Sequence, residues 1–281
     1  MIGAIIGDII GSRFEGKATA EKGFRLFTDD CRFTDDTICT IATMEWLNSP
    51  QGTDYAKVLS KWIVRFPYSG FSPNMIKWAM SKDHEPYGSY GNGAAMRVSP
   101  VGWACTVESQ VEDLAEVTTV VSHDTKQAVD GAQAIASCVA MARFGYTKEY
   151  IAEHVKLKYG YVVDKGLGSY KQKRFVATCD ETVPAAIASF IKSKSFEDAV
   201  RNAVSLGGDS DTIACMAAAI ADAYYGTPKA IEKKARGYLP KVMMDVVEKF
   251  EENVEKSWKD YVSVYKNIPS IIESRKKSRK D

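Results

Sequence analysis

The sequence lacks most of the patterns that assign a chemistry to a chain directly. Its 281 residues contain no G-x-x-x-x-G-K-[ST] run, so a P-loop is unsupported. They contain no G-x-S-x-G nucleophile elbow. Neither an H-E-x-x-H segment nor a C-x-x-C pair is present to indicate zinc. Chemistry with hard metal ions and oxygen ligands is what remains.

Net charge and long apolar runs are also scarce. The formal net charge of +1 favours neither a nucleic-acid nor a membrane partner. No stretch approaches the roughly 18 apolar residues of a membrane span. The apolar start is interrupted by Asp8 and has no basic beginning, which disfavours a signal peptide. Several of the six cysteines lie in apolar helical patterns, so we expect buried reduced thiols and a cytoplasmic protein.

Helical periodicity dominates what is present. Apolar residues recur at helical spacing, and no linker rich in proline or serine divides the chain. We expect an all-α fold, a compact single-domain bundle of about a dozen helices over residues 1–270, with a basic C-terminal tail at 271–281. The predicted helices span residues 2–14, 36–48, 53–65, 73–81, 109–121, 126–144, 147–155, 182–193, 195–205, 211–225, 228–236 and 241–265.

Glycine spacing and one polar stretch add detail to this helical pattern. Gly3, Gly7 and Gly11 recur every four residues in the first predicted helix, which predicts that another backbone approaches that face closely. The stretch 156–180 is polar, and residues 161–163 favour a short strand within it.

Two short acidic runs are the most informative feature. Thr34-Asp35-Asp36-Thr37 and Gly207-Gly208-Asp209-Ser210-Asp211-Thr212 each lead into an apolar stretch, so each predicts a helix start. If the two starts meet, their carboxylates and hydroxyls would form an all-oxygen cage for divalent cations. The alternative is that they are only helix caps. A third acidic run, residues 28–30, has no amphipathic segment after it and predicts a turn.

Other candidate elements are weaker, and each leaves two interpretations open. The glycine-rich loop at 88–97 suits either phosphate binding through backbone N–H groups or a plain turn. His123 lies just before a predicted helix, where it either contacts a ligand or only bonds near the helix start. The turn at 67–73 either walls a nucleotide pocket or joins two helices.

With these residues in place, the chain resembles the ADP-ribosylglycohydrolase family, which is related to dinitrogenase reductase-activating glycohydrolase. The resemblance covers about residues 1–230. It depends on five ordered landmarks: Gly7-Asp8-x-x-Gly11 leading to Glu15, Thr34-Asp35-Asp36-Thr37, Gly91-Asn92-Gly93-x-x-Met96-Arg97, Ser122-His123, and Gly208-Asp209-x-Asp211-Thr212.

The resemblance implies a compact all-α fold with two Mg²⁺ or Mn²⁺ ions in a central cleft. The implied metal ligands are Thr34, Asp35, Asp36, Asp209, Asp211 and Thr212. The implied catalytic residues are Glu15, Asp35 and Asp36. The implied substrate-binding residues are Gly70, Phe71, Ser89, Tyr90, Gly91, Asn92, Gly93 and His123.

The activity implied is metal-dependent hydrolysis of the C1″ glycosidic or ester bond of an ADP-ribosylated substrate, with release of ADP-ribose. Such an enzyme would reverse protein ADP-ribosylation or hydrolyse O-acetyl-ADP-ribose. The alternatives are a metal-dependent nucleotide phosphoesterase and a catalytically inactive ADP-ribose-binding protein. The acceptor stays open among arginine, serine, acetate and other groups. A nucleic-acid base stays open as an acceptor but is not indicated, and no membrane partner is expected.

Overall fold

The all-α prediction is confirmed by a computed structural model, which describes residues 1–17, 20–107 and 109–264. The described part contains thirteen α-helices and no strand. The helices are α1 (Gly3–Gly11), α2 (Asp35–Leu47), α3 (Tyr55–Arg65), α4 (Pro73–Met80), α5 (Ser99–Ala104), α6 (Ser109–Val120), α7 (Lys126–Phe144), α8 (Lys148–Tyr159), α9 (Cys179–Ile191), α10 (Phe196–Val204), α11 (Ser210–Tyr225), α12 (Lys229–Arg236) and α13 (Lys241–Val264). The predicted basic tail, 271–281, lies outside the described residues.

The structure differs from the sequence-based expectation at two places. The short helix α5 was not predicted, because its six residues are too few to show a helical period. The predicted strand at 161–163 is wrong. Tyr161 and Val163 are buried and Val162 is exposed, as in a strand, but no neighbouring strand pairs with this segment within the described chain.

Helix α11 lies at the centre of the bundle and packs against α1, α7, α9 and α10. Alanines make up half of its apolar residues and let neighbouring helices approach closely. Every residue of α1 is buried as well. The buried helices therefore meet at short distances, and small displacements of one are resisted by its neighbours.

The glycine stripe of α1 is the closest of these contacts, as predicted. A Cβ on Gly7 would stand 2.1 Å from the carbonyl oxygen of Ala214, and a Cβ on Gly11 would stand 2.5 Å from Cα of Asp211. A Cβ on Gly3 would lie 2.4 Å from the carbonyl oxygen of Ala218, so the two helices run antiparallel. The end of α1 therefore lies beside the start of α11.

The cysteine prediction also agrees with the structure, since all six cysteines are free and buried. Burial raises the pKa of the Cys39, Cys138 and Cys215 thiols, so these side chains are neutral core groups. Among the described residues, no helix combines the length and apolarity that crossing a bilayer requires.

The glycine contact predicts the effect of a single methyl group. Gly7→Ala should lower the free energy of unfolding by about 3 kcal/mol or more, because the obstructing atoms are backbone atoms of α11. Gly166→Ala is the matched control, since a Cβ there meets nothing within 4 Å, and its effect should stay within about 0.5 kcal/mol. Urea unfolding measures both. Equal stability of the two variants would contradict the close-packing interpretation.

Candidate active site

The first acidic run forms the start of α2. Thr34 is the N-cap residue with an extended backbone, and its Oγ1 accepts a hydrogen bond from the Asp36 amide at 3.4 Å. Asp35 and Asp36 occupy the first turn, where the positive end of the helix dipole favours negative charge. Asp36 is buried and Asp35 is partly buried, so the helix start directs both carboxyls toward the interior of the bundle.

A buried carboxylate from α1 holds this helix start in place. Asp8 Oδ2 accepts hydrogen bonds from the amides of Thr34 at 2.9 Å and Thr37 at 3.1 Å. The hydroxyl of Thr34 donates to Asp8 Oδ1 at 2.7 Å, and the hydroxyl of Thr37 donates to Oδ2. Asp8 was not among the predicted site residues. Its signal in the sequence was a lone carboxylate inside a fully apolar helix.

The second acidic run forms the start of α11 and meets the first run directly. The hydroxyl of Thr212 donates to Asp36 Oδ2 at 3.1 Å across 176 positions of sequence. The side-chain Nδ2 of Asn92 donates to Asp209 Oδ2 at 2.7 Å, so the glycine-rich loop joins the same cluster. The close contact between α1 and α11 is what brings these three segments to one place.

The acidic cluster has the donor set and the unused capacity of a divalent cation site. Carboxylate oxygens of Asp8, Asp36 and Asp211 lie within 4.8 Å of one another. Asp36 Oδ1 and Asp211 Oδ1 are buried and accept no hydrogen bond from the residues that the structure describes. Buried carboxylate oxygens without partners are costly, and hard cations such as Mg²⁺ and Mn²⁺ take oxygen ligands of this kind. The residues therefore fit a divalent ion, while each individual ligand assignment remains a prediction.

Burial and mutual repulsion perturb the carboxyls of the cluster. Burial raises the pKa of Asp36 and Asp211 well above the ordinary value, and neighbouring carboxylates raise both further. The pKa of Asp35 is raised well above its ordinary value for the same two reasons. Burial also raises the pKa of Asp209, against the opposing effect of the Asn92 hydrogen bond. Like charges this close favour either protonation or a bound cation.

A cavity of about 450 Å³ opens over the cluster. All but two of the predicted site residues line it: Glu15, Asp35, Asp36, Gly70, Phe71, Ser89, Gly91, Asn92, Gly93, His123, Asp209, Asp211 and Thr212. The two others are Thr34 and Tyr90. The hydroxyl of Thr34 forms hydrogen bonds with the carboxyls of Asp8 and Asp36. Tyr90 is 60% exposed to solvent and does not line the cavity. Their predicted roles are untested by this geometry.

Gly70 shows why one wall of the cavity requires a glycine. Its φ of +103° lies in the region that other residues rarely adopt. A Cβ at this position would stand 2.7 Å from Asp35 Oδ1. Any side chain here would therefore displace the Asp35 carboxyl, which connects the turn at 67–73 to the acidic cluster.

Several lining residues were not found from the sequence. Arg97, the last residue of the glycine-rich loop, and Tyr87 line the cavity with His123, although neither was predicted as a site residue. Phe175 and Ala177 come from the polar stretch that had no assigned role. The backbone N–H of Asn92 donates to the Ala177 carbonyl at 2.9 Å, which brings this stretch alongside the glycine-rich loop. No local pattern could indicate such a long-range contact.

The third acidic run is a turn, as predicted. The amide of Cys31 donates to the Thr28 carbonyl at 3.1 Å. Asp29 and Asp30 are exposed, and neither lines the cavity. The hydroxyl of Thr28 donates to Asp30 and lowers the pKa of that carboxyl. These carboxylates are therefore solvated and separate from the cluster.

A comparison with known families agrees with this geometry. The sequence profile described as ADP-ribosylglycohydrolase matches residues 1–262. The chain belongs to the ADP-ribosylglycohydrolase family. The match covers both acidic runs, the glycine-rich loop and His123, so the resemblance stated from five short motifs is confirmed across nearly the whole chain.

Individual relatives have low sequence identity to this chain, but the alignments cover most of its length. The chain is 25% identical over 320 residues to "ADP-ribosylhydrolase ARH3" of Mus musculus, covering 85% of this chain and 86% of the relative. It is 25% identical over 272 residues to "ADP-ribosylarginine hydrolase Tri1" of Pseudomonas putida, covering 84% and 73%. A solved structure named "ADP-ribosylglycohydrolase-related protein complex" superposes with a TM-score of 0.70 at 22% identity, covering 90% of this chain and 95% of that chain. The superposition shows the fold.

Family membership and these relatives indicate an ADP-ribosyl hydrolase. The family is metal-dependent, and this family member has a buried acidic cluster suited to a cation. The name of one relative specifies ADP-ribosylarginine and the name of the other specifies no acceptor, so similarity does not determine the acceptor.

The raised pKa values predict how the metal-free protein responds to pH. Each affected carboxyl binds its proton more tightly when folded than at its unfolded pKa of about 4. These carboxyls therefore hold more protons in the folded chain, and their contribution to the free energy of unfolding should fall as pH rises from about 4 towards neutrality. Thermal unfolding with a chelator measures this change. Saturating Mn²⁺ should raise the midpoint most at the upper end, whereas metal-free stability that increases with pH would contradict the assignment.

Proposed function

We propose that this protein is a divalent-metal-dependent hydrolase that cleaves the C1″ bond of an ADP-ribosylated substrate and releases ADP-ribose. The observation that carries the proposal is the acidic cluster beneath the cavity. Within the described part of the chain, two of its buried carboxylate oxygens have no hydrogen-bond partner. Carboxylate oxygens of Asp8 inside α1, Asp36 at the start of α2 and Asp211 at the start of α11 lie within 4.8 Å of one another. Capping alone does not account for this arrangement, because the large majority of buried polar atoms in proteins have a hydrogen-bond partner.

The predicted metal ligands are Thr34, Asp35, Asp36, Asp209, Asp211 and Thr212, and the geometry adds Asp8 as a group that positions them. Two Mg²⁺ or Mn²⁺ ions are proposed. Bound there, such ions would supply Lewis-acid polarisation and would orient the hydroxyls of a sugar. The chain's own contribution is a rigid set of oxygen atoms. Asp8 locks the start of α2 through four hydrogen bonds, and Thr212 ties it to α11.

Glu15 is the proposed proton-transfer residue. It follows the short 3₁₀ turn after α1 and is the exposed carboxyl among the cavity's acidic residues. Burial and the nearby Asp209 raise its pKa, while Arg32 opposes the shift. A carboxyl with a raised pKa can hold a proton closer to neutral pH and exchange it with a leaving group or with water. Asp35 and Asp36 are the alternative bases.

The remaining cavity wall is proposed to bind the rest of the ligand. Its volume of about 450 Å³ lies in the range of small-molecule sites. The glycine-rich loop with Ser89, Gly91, Asn92 and Gly93 would hold the diphosphate, with His123 beside it. Tyr90, Gly70 and Phe71 are the other proposed substrate contacts. Binding energy from these groups lies away from the bond that breaks.

The proposed reaction is tested with a panel of substrates. ADP-ribose linked to serine, to arginine and to acetate would be incubated with the protein, with and without a chelator, and the products separated by chromatography. We expect free ADP-ribose from at least one substrate and none with chelator. AMP as the product would indicate a phosphoesterase instead. Tight ADP-ribose binding without turnover of any linkage would indicate an inactive binding protein.

Removal of one cluster carboxylate should abolish the activity. Asp211→Asn keeps the side-chain shape but removes a charge and an unpartnered oxygen. We expect kcat to fall by about 100-fold or more, with weaker Mn²⁺ uptake in calorimetry and unchanged helical circular dichroism. Asp29→Asn is the matched control, because Asp29 is exposed and outside the cavity. Unchanged Mn²⁺ binding by Asp211→Asn, or equal losses in both variants, would contradict the ligand assignment.

Glu15→Gln separates proton transfer from metal binding. The variant keeps a polar side chain at the cavity edge but cannot exchange a proton, so kcat should fall by about 100-fold while Mn²⁺ uptake persists. The plot of kcat against pH should also lose the change that the ionisation of Glu15 produces in the wild type. Glu21→Gln, on the exposed surface outside the cavity, should behave as the wild type. A kcat near wild type for Glu15→Gln would remove this residue from the mechanism.

A further inference from the structure

A buried cation lies beside the cavity and has no acidic partner. Arg97 is fully buried, and it takes part in none of the ion pairs formed among the described residues. Its Nη2 donates to the Thr118 carbonyl at 2.7 Å and to Ser122 Oγ at 2.9 Å, and its Nη1 donates to the Gly93 carbonyl at 3.3 Å. Burial of a charge without a counter-ion destabilises the fold, so we expect a function of Arg97 in its hydrogen bonds.

The hydroxyl of Ser122 connects this cation to His123. Ser122 Oγ lies 2.9 Å from Arg97 Nη2 and 2.8 Å from His123 Nδ1. A guanidinium can only donate, so the serine oxygen is the acceptor of the first bond. The serine hydrogen then needs an acceptor of its own, because a buried hydroxyl without one costs about 1–3 kcal/mol. Among its partners in the described chain, only His123 Nδ1 can accept it.

This arrangement determines which nitrogen of His123 carries the proton. In a neutral imidazole, one ring nitrogen accepts and the other donates. With Nδ1 accepting from Ser122, the hydrogen lies on Nε2. A Cβ on Gly93 would stand 2.9 Å from His123 Nε2, so this nitrogen faces the glycine-rich loop within the cavity. Burial and then the Arg97 charge lower the pKa of His123 to about 3, which keeps the ring neutral.

We propose that Arg97 and Ser122 are positioning residues that hold His123 in the tautomer with hydrogen on Nε2. His123 thereby presents a neutral N–H donor to an anionic oxygen of the bound ligand. The opposite tautomer would present a lone pair to that oxygen and repel it. The identity of the anion, a diphosphate, rests on the proposed function, whereas the tautomer is a property of the ligand-free protein.

The tautomer can be measured directly in the full chain. Long-range proton–nitrogen correlation spectra of ¹⁵N-histidine-labelled protein distinguish a nitrogen with hydrogen from one without. The signals of His123 are assigned by their loss in His123→Gln. We expect Nδ1 without hydrogen and Nε2 with it in the wild type, at pH values from about 6.5 to 8. A folded wild type with hydrogen on Nδ1 would overturn the proposal.

Removal of the Ser122 hydroxyl tests the chain of hydrogen bonds from Arg97 through Ser122 to His123, which we call the relay. Ser122→Ala leaves Nδ1 without a donor, so the two tautomers should become mixed and ADP-ribose should bind about 10-fold more weakly. Arg97→Gln replaces an obligate donor with a group that can also accept, and should mix the tautomers too. Ser189→Ala is the matched control, because Ser189 is equally buried but donates to Ala185. Its tautomer and affinity should match the wild type.

The outcomes separate this proposal from the proposed function. A single Nε2–H tautomer that persists in Ser122→Ala with unchanged affinity would overturn the relay, even if the enzyme is active. Failure of wild-type protein to bind ADP-ribose would contradict the proposed function, while the tautomer measured without ligand still decides the relay. If the Ser122 variant does not fold, the wild-type tautomer together with the Arg97→Gln variant decides it.

Discussion

The contact between α1 and α11 is the constraint on which the site depends. Without side chains at Gly3, Gly7 and Gly11, the two backbones approach to distances that any Cβ would prevent. This approach places the end of α1 beside the start of α11. Asp8, inside α1, then reaches the start of α2. Three helix ends from separate parts of the chain are thereby fixed around one point.

The structure therefore holds several carboxyls in conditions that oppose their charge. Burial and mutual repulsion raise the pKa values of Asp36 and Asp211, and two oxygens remain without partners. Hydrogen bonds from Thr34 and Thr37 offset part of the cost at Asp8. The closely packed bundle around the cluster opposes the displacements that would separate these carboxyls. The unfavourable charge is the same property that would attract a divalent cation.

The two ends of the cavity differ in their electrostatics. Carboxyls crowd one part, whereas the part near the glycine-rich loop contains a buried guanidinium and a neutral histidine. Asn92 connects the two, since its side chain donates to Asp209 and its amide donates to Ala177. A ligand with both hydroxyl groups and an anionic group matches this division. The polar stretch 156–180 contributes Phe175 to the lining of the cavity.

Much of the fold and of the site was predictable from sequence, because helix starts, glycine spacing and helical periodicity are local properties. The helices, the two acidic runs and the turn at residues 28–30 follow from such patterns. Helix α5 is too short to show a helical period. The lack of a strand that pairs with residues 161–163 in the described chain, and the position of Phe175 in the cavity wall, depend on contacts between distant segments, which no local pattern encodes.

The sequence by itself determined which residue types stand at each helix start and how closely α1 could be approached. Only the tertiary structure decided that Thr212 bonds to Asp36, that Asp8 anchors α2, and that Ser122 lies between Arg97 and His123. The physical reason is that hydrogen bonds and charge interactions act over a few ångströms. Their partners are chosen by packing of the whole bundle and not by separation along the chain.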